Sequence, residues 1–314
     1  MVSQNGDDTR SKTLVLLAAY NGAETIERQI SSVLAQDDVD IEILVRDDGS
    51  KDGTDDIVAN LARQDPRVRL ISDGRASGSA GANFFELIRI APLSGCDFVA
   101  FCDQDDVWHS GKLSRAIHHL RTRGADGYSS AVEAVWPDGR RRTLRQNPQL
   151  RAADHLFEGA GQGCTFVMTV GFVLRVRAAL AAHPQAFARL HYHDWAVFAL
   201  ARASGCNWII DDAVTMTYLQ HEANDTGARG SMGSIRRRWS LIAGGWYRGQ
   251  ILAMVDMLLL ARPGDPAASQ WRALSTRKHA WIAFAQRLHF VLVNGRRKRI
   301  DRCVMAAAVL LGHL

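Results

Sequence analysis

The chain has 314 residues, 47% hydrophobic and 23% charged, which excludes a disordered tail or a collagen-like fibre and suits one large folded unit or two smaller ones. The formal net charge is +5, with acids in excess up to Asp106 and bases in excess beyond it, a split that pairs metal or polyol chemistry in front with anionic partners behind. Five widely spaced cysteines without a C-x-x-C, and no apolar run of about 20 residues, exclude a zinc ribbon, a thioredoxin-like site and a membrane-spanning helix.

Residues 1–12 read as a polar leader without an apolar signal core, which predicts a reducing, cytoplasmic setting. Thr13–Ala19 is a short apolar run fit for a buried strand, broken by Tyr20-Asn21-Gly22. Glu24–Leu34 has helical spacing, with Ile26, Ile30, Val33 and Leu34 on one face. Ile41–Arg46 predicts a second strand ending in Asp47-Asp48-Gly49-Ser50, and a helix follows from Thr54. Val68–Ser72 predicts a third strand, Ala82–Ile90 a helix and Asp97–Cys102 a fourth strand. This alternation is the pattern of a parallel α/β sheet, whose ligands bind beyond the carboxyl ends of the strands. Polar groups fall at three of those ends: Tyr20-Asn21, Asp47-Asp48 and Asp103–Asp106. Beyond Lys112, Gly127–Val135, Cys164–Val170, Trp208–Ile210 and Ala213–Tyr218 read as strands and His193–Ala203 as a helix. From Ser234 the pattern turns helical and basic.

In F-C-D-Q-D-D-V-W, Phe101–Trp108, a strand delivers three carboxylates within four positions. Each raises the pKa of the next. A divalent cation such as Mg²⁺ or Mn²⁺, which takes oxygen ligands, resolves the repulsion; the plain alternative is an acidic turn capping the next helix. In Val45–Thr54, Gly49 and Gly53 permit a tight turn, and the paired carboxylates can accept hydrogen bonds from a nucleobase or ribose. An ordinary strand-to-helix turn uses the same residue types. Gly159, Gly161 and Gly163 spell G-x-G-x-G before a predicted strand, unlike a dinucleotide fingerprint. Asp194, read by itself, is a helix N-cap.

Taken together, A-A-Y-N at 18–21, D-D-G-S-K-D-G-T at 47–54 and D-Q-D-D-V-W at 103–108 resemble family 2 glycosyltransferases of the GT-A fold. G-A-G-Q-G-C-T-F at 159–166, H-D-W at 193–195 and Y-L-Q-H-E-A-N-D-T-G-A at 218–228 are similar to the rhamnosyltransferase-type branch, so the likeness covers about residues 13 to 230. It implies an α/β, GT-A-type nucleotide-sugar-binding domain with a mostly parallel sheet over residues 1–230 (donor half about 13–110, acceptor half about 111–230). A basic, helical extension would occupy 231–314.

The resemblance also implies roles. Ala18 and Tyr20 would line the nucleobase pocket, Asp48 would hold the base and Asp47 would support that loop. Asp103 would sit near the ribose, Asp105 would hold Mg²⁺ or Mn²⁺ on the diphosphate, and Asp106 would support it. The departure is Gln104 at the middle position, which is neutral and would orient the loop rather than bind the metal. Asp194 would be the general base, worth about 10²–10⁴ in rate, with His193 (often Glu in the family), Trp195 and Gly163 beside it. His221 would return to the metal or diphosphate on a loop shaped by Asn224 and Gly227. Arg238, in the run Arg236–Arg238, would contact the leaving diphosphate. Cys164 would serve packing.

The implied reaction is inverting, metal-dependent transfer of a sugar from a nucleotide-sugar donor (dTDP-rhamnose, or a UDP- or GDP-sugar). The acceptor would be a hydroxyl of a surface polysaccharide or lipid-linked glycan precursor. Two other readings are a sugar nucleotidyltransferase, which usually has an early Gly-rich basic loop that Leu14–Glu24 lacks, and a non-catalytic nucleotide-sugar binder. The aromatic, arginine-rich tail, with Arg296-Arg297-Lys298-Arg299, fits either a peripheral contact with the inner membrane surface or a hairpin packed on the catalytic domain. No motif points to nucleic acid.

Overall fold

The computed structural model describes residues 10–220, 232–276 and 280–314; the side chains of 232–235, 237, 238 and 280 lie outside the description. The first half builds β1 (Ser11–Ala19), α1 (Ile26–Leu34), β2 (Val39–Asp47), α2 (Thr54–Gln64), β3 (Val68–Ile71), α3 (Ala80–Ile90) and β4 (Phe98–Asp103). The strands pair in parallel in the order β3-β2-β1-β4. β1 is buried along both faces from Thr13 onward, as a central parallel strand covered by helices must be. Its alternation splits the interior in two. Leu14 and Leu16 join Phe84 in one core, while Val15 and Leu17 join Ile30 and Ile43 in the other.

The second half adds β5 (Val107–Trp108), α4 (Lys112–Arg123), β6 (Gly127–Val135), β7 (Arg141–Leu144), β8 (Val167–Thr169), α5 (Val170–Ala182), α6 (Pro184–Phe187), α7 (His193–Ala203) and β9 (Trp208–Leu219). These strands extend the same sheet as β4-β8-β6-β9-β5, with β7 on β6. β8 runs antiparallel to β4 and β6, whereas β9 runs parallel to β6. The sheet is parallel through the donor half and mixed beyond it.

Two expected elements differ. Only Val167–Thr169 of the predicted strand 164–170 is extended, because Gly163–Thr165 forms a 3₁₀ turn. The turn closes when Thr165 N and Oγ1 both donate to Gln162 O, and Phe166 N to Gly163 O. The two predicted strands after Trp208 are one, interrupted by irregular register opposite Ser129–Glu133.

Among the described residues five helices follow: α8 (Met232–Ala243), α9 (Trp246–Ala261), α10 (Pro266–Thr276), α11 (Ala280–Asn294) and α12 (Arg299–Leu310). They share the larger core, since Ile251, Met254, Val255 and Leu258 of α9 pack in the cluster that holds Leu14 and Phe198. Arg296, Arg297 and Lys298 turn inward onto Phe157 O, Glu158, Gly159 O and Arg145 O, so of the basic run only Arg299 is exposed. Among the described residues no helix is long and apolar enough to cross a membrane.

Candidate functional site

Strand register assembles the first part of the rim. Ala18 lies between Arg46 on β2 and Asp103 on β4, and Ala19 pairs with Asp47. The chain then turns through Tyr20, whose ring is 56% exposed. Gln104 clamps this turn: its Nε2 donates to Tyr20 O at 2.8 Å and its Oε1 accepts from Tyr20 N at 2.7 Å. A neutral amide can donate and accept at once, which a carboxylate cannot. Gly22 leaves room for the clamp, because a Cβ there would lie 2.4 Å from Gln104 Oε1.

Asp47 and Asp48 do different work. Asp47 closes its own turn, with Oδ2 accepting from Gly49 N and Ser50 N, and Gly49 supplies the left-handed backbone (φ 84°) that a side chain resists. Asp48 is 4% exposed. Its Oδ1 accepts from Arg46 Nη1 at 2.8 Å and Ser77 N at 2.6 Å, and its Oδ2 from Gly78 N at 3.2 Å. Among the described contacts that leaves one acceptor position, on Oδ2, for a ligand. Arg46, 2% exposed, also donates to Asn83 Oδ1 and Asp73 Oδ1. One buried guanidinium thus ties β2 to the 73–79 loop and to α3.

At the end of β4, the described residues whose ligand atoms converge within 4.8 Å are Asp103, Asp106 and Cys164. Asp105 stands outside that group, close enough that its charge, after burial, is the next largest influence on Asp106. Asp106 is fully buried, neither of its carboxylate oxygens has a hydrogen bond of ordinary geometry, and its pKa is pushed well above the carboxylate range. Buried carboxylate oxygens that meet the Cys164 thiol and the Leu219 N–H only in poor geometry, beside further carboxylates, fit a hard divalent cation. Burial and the charges of Asp106 and Asp103 also push the Cys164 thiol up, so it stays a thiol, a soft and poor ligand for Mg²⁺ or Mn²⁺. Behind this cluster the buried Lys112 donates to Cys164 O at 3.0 Å and sits 4.2 Å over the Trp108 ring. Burial pulls its ammonium down to about 8. Sequence reasoning missed Lys112 and Arg46, because ordinary helix and strand positions conceal a buried cation.

Cys164 follows Gly163, which leads to Asp194. Asp194 stands in the first turn of α7, where the helix dipole favours an anion, and its Oδ1 accepts from Trp195 N at 2.6 Å. Burial raises its pKa to about 6, opposed by the N–H groups of Trp195, Asp194 and Gly163 and by His191. The histidine that acts on the carboxylate electrostatically is therefore His191. The His193 ring stacks on Phe84 at 3.9 Å and meets Phe101 edge-on at 5.2 Å; burial pulls it down to about 3, so it is neutral at physiological pH. Trp195 is buried, donating Nε1–H to His155 O at 2.8 Å. A Cβ on Gly163 would lie 2.9 Å from His193 Nε2 and 3.0 Å from Asp194 Cβ. Gly163→Ala is therefore expected to displace Asp194 and lower turnover about tenfold or more, while nucleotide binding is retained; steady-state kinetics with nucleotide titration checks this.

His221, Asn224 and Gly227 lie outside the described residues, as does the side chain of Arg238. Arg236, on α8, is exposed.

A family model described as Glycosyl transferase family 2 matches residues 14–180. The dTDP-rhamnosyl transferase RfbG of Shigella flexneri is 34% identical over 243 residues, spanning 77% of this chain and 84% of that protein. Of solved structures, S. aureus TarS 1-349 in complex with UDP is similar with a TM-score of 0.54 at 16% identity, over 96% of this chain and 81% of that one. Mannosyltransferase PcManGT from Pyrobaculum calidifontis, in complex with GDP-Man and Mn²⁺, gives 0.52 at 19% identity, over 97% and 86%. At such identities the structural likeness speaks for the fold, an α/β arrangement of GT-A type with C-terminal helices. The chain belongs to glycosyl transferase family 2 and is a glycosyltransferase.

Proposed function

We propose that the chain transfers L-rhamnose from dTDP-rhamnose, with inversion, to a hydroxyl of a surface polysaccharide or a lipid-linked glycan precursor. The observation that carries this reading is the continuity of acidic turn and base. Asp103, Asp106 and Cys164 converge within 4.8 Å, and the residue before Cys164, Gly163, lies against Asp194. A diphosphate at the acidic turn would leave the anomeric carbon in reach of a hydroxyl activated by Asp194. The name of the Shigella relative supports the choice of donor.

In this reading Ala18, Tyr20 and the remaining acceptor position of Asp48 hold the nucleobase, and Asp47 keeps that turn closed. Asp105, supported by the buried Asp106, would hold Mg²⁺ or Mn²⁺, with Asp103 beside them near the ribose. When bound, such a cation neutralises the charge that develops on the leaving diphosphate. His221 and Arg238 would join on the diphosphate side. Asp194 takes the acceptor proton as the new bond forms, so no covalent enzyme intermediate is needed. Contact with a membrane surface would rest on the exposed Trp281, Ile300, Leu310 and Leu311 rather than on the inward-turned arginines; co-sedimentation with anionic liposomes reads it.

A donor screen tests the reading. Purified protein is incubated with dTDP-rhamnose and with common UDP- and GDP-sugars, with Mg²⁺, with Mn²⁺ and with chelator. We expect slow release of dTDP and free rhamnose from dTDP-rhamnose, water taking the place of the acceptor hydroxyl, and chelator abolishes it. Preference for another sugar nucleotide would overturn the donor, and release indifferent to chelator would overturn the metal.

A further inference from the structure

We propose that Arg297, in the C-terminal helical region, is a positioning residue for the base: it locks the 154–163 segment against the helix start that carries Asp194. The inference rests on the reading of Asp194 as the base.

Arg297 lies two residues before α12 and is 3% exposed. Its Nη2 donates to Gly159 O at 2.5 Å and its Nη1 to Asp154 Oδ2 at 3.4 Å. Its Nε stands 3.3 Å from Glu158 Oε1, which also accepts its backbone N–H. Asp154 and Glu158 are buried as well. The segment so held touches α7 at three places. Asp154 Oδ1 accepts from Arg202 Nη1 at 3.0 Å near the end of the helix. In the first turn, His155 O accepts from Trp195 Nε1, and a Cβ on Gly159 would lie 3.5 Å from Trp195 Cα. At the start of the helix, Gly163 lies against Asp194 Cβ. Arg297 therefore reaches the neighbour of the base through one intervening residue, Gly159. Two more groups of the C-terminal region hold the adjoining carbonyl, since Arg296 Nε and Tyr247 Oη both donate to Phe157 O.

The chemistry favours positioning over bulk stability. Arg297 and Arg202 face Asp154 and Glu158, two cations against two anions, all largely withdrawn from water. Desolvation makes such groups a poor source of net stability compared with apolar side chains of equal volume. What a guanidinium fork adds is direction: it fixes two carboxylates and a carbonyl at once in one geometry. Lysine keeps the charge and loses the fork.

The test is a double-variant cycle on Arg297→Lys and Asp194→Asn, read by release of dTDP from dTDP-rhamnose with Mg²⁺, by dTDP titration and by circular dichroism. Arg297→Lys is expected to remain folded, to bind dTDP as the parent does and to turn over at least tenfold more slowly. In the Asp194→Asn background the same substitution should change the residual rate less than twofold, because no base remains to be positioned. A purely structural role predicts an equal loss in both backgrounds, or weakened dTDP binding, and either result overturns the proposal, as does parental turnover by Arg297→Lys. If Asp194→Asn alone turns over normally, the base reading fails instead. Should Arg297→Lys not fold, Tyr247→Phe, which removes only the hydroxyl on Phe157 O, is put through the same cycle and judged by the same criteria.

Discussion

Asp194→Asn is expected to lower sugar transfer by about 10²–10⁴-fold while leaving nucleotide binding intact. The amide preserves the shape and can still accept from Trp195 N, so the loss isolates proton abstraction. A pH profile gives an independent reading. Burial lifts the Asp194 carboxyl to about 6, and a base works only when deprotonated. Turnover should therefore rise as pH increases through about 6 and fall away below it, and the asparagine variant should lack that limb. The stability effect has the opposite sign. A carboxyl whose folded pKa exceeds its unfolded value binds protons more readily in the folded state, so its contribution to stability declines as pH rises from the unfolded value near 4 through about 6. At pH 7 the variant is expected to melt above the parent protein, a trade between activity and stability common at catalytic groups. Normal transfer by a folded Asp194→Asn protein would remove the proposed base.

Arg46→Met is expected to cost about 3–5 kcal/mol of stability and most of the nucleotide affinity. Methionine fills similar space but leaves Asp48 buried without its cation, 4% exposed. Breaking a buried pair from one side is costly because the remaining charge has neither water nor partner. The nearby Asp73 loses the same guanidinium but is far more exposed, with 35% of its side chain accessible, so water can replace the partner there. The measurable signature is unequal. Thermal unfolding shows the large loss, and exchanging Asp48 as well, in Arg46→Met/Asp48→Asn, should restore much of the melting temperature without restoring affinity. Little change in the single variant would mean that Asp48 finds other compensation in the folded state.

The donor half was legible because its signals are local. Short apolar strands end in polar clusters, and parallel register carries Ala18, Asp47 and Asp103 to one rim. Gln104 was legible as the neutral member of an acidic turn, although its partner is a backbone amide 84 residues away. What holds Asp48 was not legible, since Ser77 and Gly78, and the Asn83 that holds its partner Arg46, come from elsewhere in the chain and carry no pattern of their own. The basic run at 296–299 left two readings open for a related reason. A count of charges along the chain cannot see that Asp154 and Glu158, more than 130 positions earlier, await Arg297 inside the fold. The turn at Gly163–Thr165 was read as strand because its composition is apolar, whereas its hydrogen bonds close locally.

The short strand β5 has a bearing on how the protein is made. Val107 and Trp108 pair only with Thr217 and Met216, so the acidic turn leaves the sheet at β4 and re-enters it at an edge formed by residues synthesised more than a hundred positions later. Such distant pairings form slowly, because the intervening chain must be ordered before they reward it. A ribosome that has finished the first four strands has therefore built a rim whose acidic turn is tied to Tyr20 through Gln104, and whose next residues reach α1 through Trp108 N and Ser32 Oγ. The sheet pairing of Val107 and Trp108 is added once β9 emerges, after Asp194 has been translated. A nascent or truncated chain that stops short of β9 therefore lacks the edge pairing that completes the sheet beside the acidic turn.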